Sequence, residues 1–181
     1  MKTTVLITAI ALFFAACSAG KVSYKEARER NEDSYRKMLT PRESEVMVDL
    51  SSKATLASKL TEMAKERGYS QQIIDLADEV ENDANSIEEE IKDFAEDHYL
   101  VLPDEMSYSD QETLSDVSSR QTVHFDRAFV SALKDALDEQ MELMNDLRSI
   151  NNEDVQDLVE DNMKEIENIK EEVDEKANSL Y

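Results

Sequence analysis

The side chains in this chain that could do chemistry are two histidines, one cysteine and 42 aspartates and glutamates. Di-iron chemistry in a helical protein needs inward carboxylates together with a pair of Glu-x-x-His motifs. Three positions before His98 and His124 stand Ala95 and Gln121, so neither motif exists. The favoured reading of the two histidines is a pair of exposed residues at helix ends. Carboxylates alone can hold hard cations. A carboxylate-only site would draw on Glu79, Asp83, Glu139 and Glu165. No EF-hand accompanies them, because Asp83-Ala84-Asn85 lacks the loop glycine and the later spacing. A solvated acidic face is the plainer reading, and no bound metal or other cofactor is expected. Met141, Met144 and Met163 could form a soft-metal patch for copper, but methionine at helical spacing is usually core filler. Nucleophilic catalysis finds no support. With only Gly20 and Gly68 available, there is neither a phosphate loop nor a nucleophile elbow. No catalytic constellation emerges, and the expectation is a non-enzymatic protein.

The elements that must position these residues are helices. Glycine and proline number two each, too few for the turns of an all-β or doubly wound fold. Hydrophobic residues make up 40% of the chain, too many for a disordered acidic tail. The net charge of −22 also excludes nucleic acid as a partner, since binding must neutralise phosphates with clustered Lys and Arg.

Thr40-Pro41-Arg42-Glu43 is a helix start: a capping threonine, a proline at the first helical position and a glutamate completing a capping box. Val46, Leu50, Ala54, Ala57, Leu60 and Ala64 follow at spacings of three and four, and Gly68 should end the helix in a left-handed conformation. Ser70 should cap a second helix whose stripe is Ile73, Ala77, Val80, Ala84, Ile87, Ile91 and Phe94. A third stripe runs through Phe129, Leu133, Ala136, Gln140, Leu143, Leu147 and Ile150. A fourth, capped by Asn152, runs through Val155, Val159, Asn162, Ile166, Ile169 and Val173. Gln140 and Asn162 are polar positions inside apolar seams, which more often set register than form a remnant site. Between the second and third long helices lies a connection in which Ser109-Asp110-Gln111-Glu112 reads as another capping box. The reading is all-α: a four-helix bundle over 40–181, with helices over about 41–67, 70–98, 122–150 and 152–179 and a short helix over about 109–118. The long connection permits a ferritin-like crossover, and an up-down-up-down order is the alternative.

Residues 1–16 read as a signal peptide: Lys2, then a mostly apolar run from Val5 to Phe14. Ala15-Ala16-Cys17 resembles a bacterial lipobox, although Phe14 stands where leucine is usual. The resemblance implies cleavage before Cys17 and lipidation of its sulphur. Residues 17–39 would then be a polar tether with some helical tendency between Lys25 and Arg36. The expected location is the cell envelope, anchored to the outer membrane and facing the periplasm.

Several segments together resemble a widespread family of bacterial secreted proteins of unknown function with a ferritin-like four-helix bundle. They are Leu76-Ala77 through Asp83, Leu102-Pro103, Ser109-Asp110-Gln111 and Phe125-Asp126-Arg127-Ala128-Phe129, the last being the most specific. The similarity covers about residues 41–175. Many members of that family carry an Asp-His pair in the second long helix and a further histidine about three turns into the third, which look like metal ligands. Here Ala84 follows Asp83 and Leu137 stands near the other position, so the metal chemistry the resemblance implies is not carried over. The resulting expectation is a lipid-anchored envelope protein that binds or scaffolds a protein partner or a second copy of itself. The alternative is a carboxylate-based metal-binding bundle.

Overall fold

The computed structural model describes residues 21–32, 39–150 and 152–179. The leader and Cys17 lie outside the described residues. The described chain forms six helices: α1 (Tyr24–Glu32), α2 (Pro41–Arg67), α3 (Gln71–Asp97), α4 (Tyr108–Ser119), α5 (Val123–Leu147) and α6 (Glu153–Ser179). No strand occurs among the described residues, and none of these helices is long and apolar enough to cross a membrane.

The start of α2 follows its sequence signature. Glu43 N donates to Thr40 Oγ1 at 3.3 Å, Thr40 N donates to Glu43 Oε2 at 2.6 Å, and Pro41 fills the first turn. At its far end, Gly68 has φ −50° and ψ 132°, so the expected left-handed cap is not formed. Glycine is required there for space. A Cβ would stand 2.8 Å from the Ala64 carbonyl oxygen and 2.9 Å from Ile74 Cγ1. Asn152 does cap α6, accepting from Asp154 N at 3.0 Å. The short helix α4 is capped by Ser107, whose Oγ accepts from Asp110 N at 3.2 Å, and not by Ser109.

Periodicity translates directly into burial along α3, where all seven stripe residues from Ile73 to Phe94 are buried. In α5, Met144 is fully buried while Leu143 is only partly covered, and the helix ends at Leu147, so Ile150 of the predicted stripe lies beyond it and is partly covered. Burial on α2 is wider than its predicted stripe, taking in Met47, Val48, Ser51, Ser52 and Thr61. The cause is that α2 touches four other helices: α1, α3, α4 and α5.

The long helices neighbour one another as α2–α3, α3–α6, α6–α5 and α5–α2, so α3 and α5 stand on opposite corners of one apolar core. Cross-helix bonds give the directions. His98 faces Asp154 and Lys176 faces Glu79, so α3 and α6 are antiparallel. Lys134 pairs with Asp174 and Lys170 with Asp138, so α5 and α6 are antiparallel. Lys53 meets Glu139, while the amides of Tyr69 and Ser70, just past α2, meet Asp126, so α2 and α5 are antiparallel. The helices α3 and α5 therefore run parallel, which rules out the up-down-up-down alternative. The connection 98–122 must travel the length of a 27-residue helix, roughly 40 Å, and it carries α4 across α2 and α5.

The expectation of a polar tether over 17–39 needs correction where the chain is described. Residues 24–32 are α1, laid against α2. Ala27 is fully buried and Leu39 joins the core. The Tyr24 hydroxyl donates to Asp49, and Arg28 reaches Glu45 at 2.6 Å and Asp49 at 3.3 Å. Burial, reinforced by the Asp49 carboxylate, pushes the Tyr24 phenol up to about 12. Asn31 exchanges two hydrogen bonds with the backbone of Val101, at 2.8 and 3.0 Å. Val22 N donates to Asp104 Oδ2 at 2.6 Å and Asp104 N to the Val22 carbonyl at 2.8 Å. These hydrogen bonds dock a segment that lacks an apolar stripe.

Candidate functional site

The most specific sequence segment, Phe125 to Phe129, sits where three helix ends converge. Asp126 is 1% exposed. Its Oδ1 accepts from Tyr69 N at 2.8 Å and its Oδ2 from Ser70 N at 2.9 Å. The carboxylate of α5 thus caps the start of α3, satisfying amides that have no partner within their own helix and placing negative charge at the positive end of the helix dipole. The predicted cap, Ser70, makes no side-chain capping bond, and its buried hydroxyl finds no partner. Phe125 is buried beneath the Arg67 guanidinium, 5.1 Å from the ring centroid. Every contact made here joins one part of the fold to another.

A second polar group lies where α2, α4 and α5 meet. Asp110, 1% exposed, accepts from Ser52 Oγ and from Lys53 Nζ, the latter at 2.6 Å. Lys53 also pairs with Glu139 at 2.6 Å. Burial pulls the Lys53 ammonium down, but its bonds to Asp110 and Glu139 outweigh this and leave it raised. Gln140, the first polar seam residue, is buried beside this group and donates to the Lys53 carbonyl at 3.4 Å, while its Oε1 finds no partner. Alongside runs a groove of about 300 Å³ lined by Tyr24, Asp49, Lys53, Glu139 and Asp146 among others.

The third group is the seam between α3 and α6. Asn162 is fully buried and donates to Glu90 Oε2 at 2.8 Å and to the Leu158 carbonyl at 3.0 Å. Glu165 and Glu172 each carry one buried carboxylate oxygen with no hydrogen-bond partner. Burial pushes the Glu165 carboxyl above the ordinary glutamate range, and repulsion from Glu90, Asp83 and Asp161 adds to this against a small opposing pull from Lys164. Glu172 is raised in the same way, by burial and then by Glu79 and Asp83, with Lys176 opposing. On α3, Glu88 moves the other way: burial raises it, but Lys92 and Thr55 more than offset that and hold it below the ordinary range.

These shifts set a pH dependence. A carboxyl raised in the folded state binds protons more readily there than in the unfolded chain, so stability is gained as pH falls through the raised value. The Glu88 contribution is lost only below the ordinary glutamate range. Taking the protein from neutral pH to just above that range should therefore raise Tm by on the order of a few degrees. In the double variant Glu165→Gln, Glu172→Gln this rise should shrink markedly in thermal melts. An equal rise in the double variant would mean that overall charge, and not this seam, sets the slope.

The carboxylates proposed as a metal set are not brought together. Glu79, Asp83 and Glu165 belong to the α3/α6 seam, whereas Glu139 lies on the opposite α2/α5 seam, bonded to Lys53. Among the described residues no three His, Cys, Asp or Glu side chains converge closely enough to hold a metal ion by themselves. His98 and His124 stand at opposite ends of the long helices. His124 is exposed as expected, but His98 is only 10% exposed in its side chain, packed on Phe94 with ring centroids 4.1 Å apart and 3.7 Å from Asp154. Met144 is a core residue, and Met141 and Met163 pack partly buried against the core.

The sequence reading missed Asp126 and Asp110 as buried, charge-bearing joints. Both lie in segments it singled out, so the signal was present but its purpose was not. A family model described as a domain of unknown function, DUF4142, matches residues 29–175. No curated protein and no solved structure shows significant similarity to the chain.

Proposed function

Because the chain belongs to the DUF4142 family, whose function is unknown, we propose that it is a lipid-anchored, non-enzymatic protein of the bacterial envelope that works by binding or scaffolding. Its body is a ferritin-like four-helix bundle: two antiparallel hairpins joined by a connection that spans their length fit that topology. Its partner is another protein or a second copy of the chain, and it does not bind nucleic acid. The lipid on Cys17 holds it at the outer membrane, facing the periplasm.

The observation that carries the reading is the clamp between Val22 and Asp104. It seats the start of the chain on the body shortly after Cys17, and the intervening residues reach at most ~17 Å. An anchor there would hold the acidic body close to the membrane surface and present it in a restricted orientation, as a scaffold requires. The buried polar groups give further support, since Asp126, Asp110 and Gln140 all bond between helices. The alternative, a carboxylate-based metal-binding bundle, loses ground because Glu139 is on a different seam from Glu165.

The test is palmitate labelling in growing bacteria, followed by in-cell cross-linking. The wild-type chain should take up label and remain with membranes. Cys17→Ser should lose essentially all label and shift to the soluble envelope fraction. Discrete cross-linked adducts should depend on Cys17. An unlabelled wild-type chain overturns the anchor, and the absence of any discrete adduct overturns scaffolding.

A further inference from the structure

We propose that the surface from Tyr99 to Tyr108, which joins α3 to α4, is the face this protein lays on a lipid bilayer, with both tyrosines seated among the headgroups. Given the lipid anchor at Cys17, on which this placement depends, the point where the chain meets its body decides which surface faces the membrane. That point is the clamp between Val22 and Asp104. Among the described residues, four large side chains with apolar bodies stand exposed: Tyr69, Tyr99, Tyr108 and Val123. Tyr99 and Tyr108, 76% and 77% exposed, flank Asp104 in sequence. They lie at most ~18 and ~14 Å from it along the chain. Between them Val101, Leu102 and Pro103 are half-buried. Asp104 and Glu105 interrupt this apolar surface, and Asp104 is taken up by the Val22 amide. Tyr69 stands at the other end of α3, whose 27 residues separate it from Tyr99 by roughly 40 Å.

The backbone at Tyr99 is a second observation. Leu100 N donates to the Ala95 carbonyl at 2.8 Å and Tyr99 N to the Glu96 carbonyl at 3.2 Å, which closes α3 in a Schellman turn. Such a turn needs a left-handed residue, usually glycine, and here Tyr99 takes it with φ 56°. The turn buries Leu100 and leaves Tyr99 in solvent. The chain therefore keeps a strained aromatic residue whose ring gains little packing against its own body.

A bilayer surface supplies that packing. Tyrosine suits the membrane interface because its ring is apolar and its hydroxyl stays wet. The five residues from Cys17 to Val22 reach at most ~17 Å, so an anchored chain holds this surface within reach of the headgroups. With a net charge of −22, attraction to anionic lipid cannot drive the contact, and aromatic insertion must.

The chain contains no tryptophan, so Tyr99→Trp, Tyr108→Trp and Tyr69→Trp each introduce a single fluorescent reporter. The mature chain from Cys17 is coupled through this sole thiol to maleimide-bearing lipid in phosphatidylcholine vesicles that carry brominated lipid. Chemical coupling reproduces the tether whether or not the cell lipidates Cys17, so its outcome is separate from that of palmitate labelling. On coupling, Tyr99→Trp and Tyr108→Trp should shift to the blue and lose roughly half of their emission to the brominated lipid, as residues at the interface do. Tyr69→Trp should do neither. Adding Tyr99→Gly to Tyr108→Trp should cut the quenching about twofold while leaving the chain at least as stable in thermal melts, since glycine relieves the left-handed strain. Equal quenching at all three positions, or none at Tyr99 and Tyr108, would overturn the proposal. So would reporters that stay wet on vesicles but shift to the blue as the free chain is concentrated, which would assign this face to a second copy.

Discussion

Replacing Asp126 with alanine should destabilise the protein by about 3 kcal/mol, since hydrogen bonds to a charged group contribute roughly 1.5–3 kcal/mol each and two are lost. For a chain of this size that is a fall in Tm on the order of 10 °C. The loss has two parts. The amides of Tyr69 and Ser70 lose their acceptor, and α3 loses a negative charge at its N-terminus. Because Asp126 is 1% exposed, water cannot readily replace the carboxylate. Asp126→Asn keeps one acceptor oxygen and should recover about half of the loss. Ser70→Ala should change little, because the Ser70 hydroxyl makes no capping bond. Urea unfolding of the three variants checks the ordering. A loss below about 1 kcal/mol for Asp126→Ala would mean that the α2–α3 turn holds its geometry without help from α5.

Asp110→Ala should cost about 3 kcal/mol, at the lower end of the range for removing one partner of a buried ion pair. Lys53 would keep Glu139, but that carboxylate is 54% exposed and screens it only partly. Ser52 Oγ would lose its acceptor as well. The double variant Lys53→Met, Asp110→Leu removes both charges and fills the space. It should be more stable than Asp110→Ala alone, with a coupling between the two positions of about 2 kcal/mol. A double-mutant cycle in denaturant, built from Lys53→Met, Asp110→Leu and the two combined, measures this coupling. Strictly additive losses would show that the two side chains act independently despite their 2.6 Å contact.

Those two aspartates also mark how far the sequence could be read. The long helices were legible because each buries a stripe at spacings of three and four, and α3 shows this without exception from Ile73 to Phe94. The capping box of Thr40 was legible because it is local. What stayed hidden was non-local or polar. Ser70 looks like a cap by its position, yet the acceptor arrives from Asp126 on another helix. The docking of α1 has no apolar stripe to announce it. It depends on Tyr24, Arg28 and Asn31 finding Asp49, Glu45 and Val101, pairings that no spacing rule contains. Glu139 and Glu165 look equivalent along their own helices. Only the order of helices around the core puts them on opposite seams. Gly68 was located correctly as a helix end but for the wrong reason: the constraint is crowding by Ala64 and Ile74, not backbone handedness.

The Asp126 joint also bears on the order in which the protein can form. The α2–α3 hairpin has its two helices adjacent in sequence, an arrangement that ordinarily lets a pair of helices close early and alone. Here the amides at the hairpin's tip find their acceptor 56 to 57 residues further along the chain. A chain emerging N-terminus first therefore exposes an unfinished hairpin until the third long helix arrives. The same dependence couples the two halves, since the tip of the first hairpin is complete only when the start of α5 is in place.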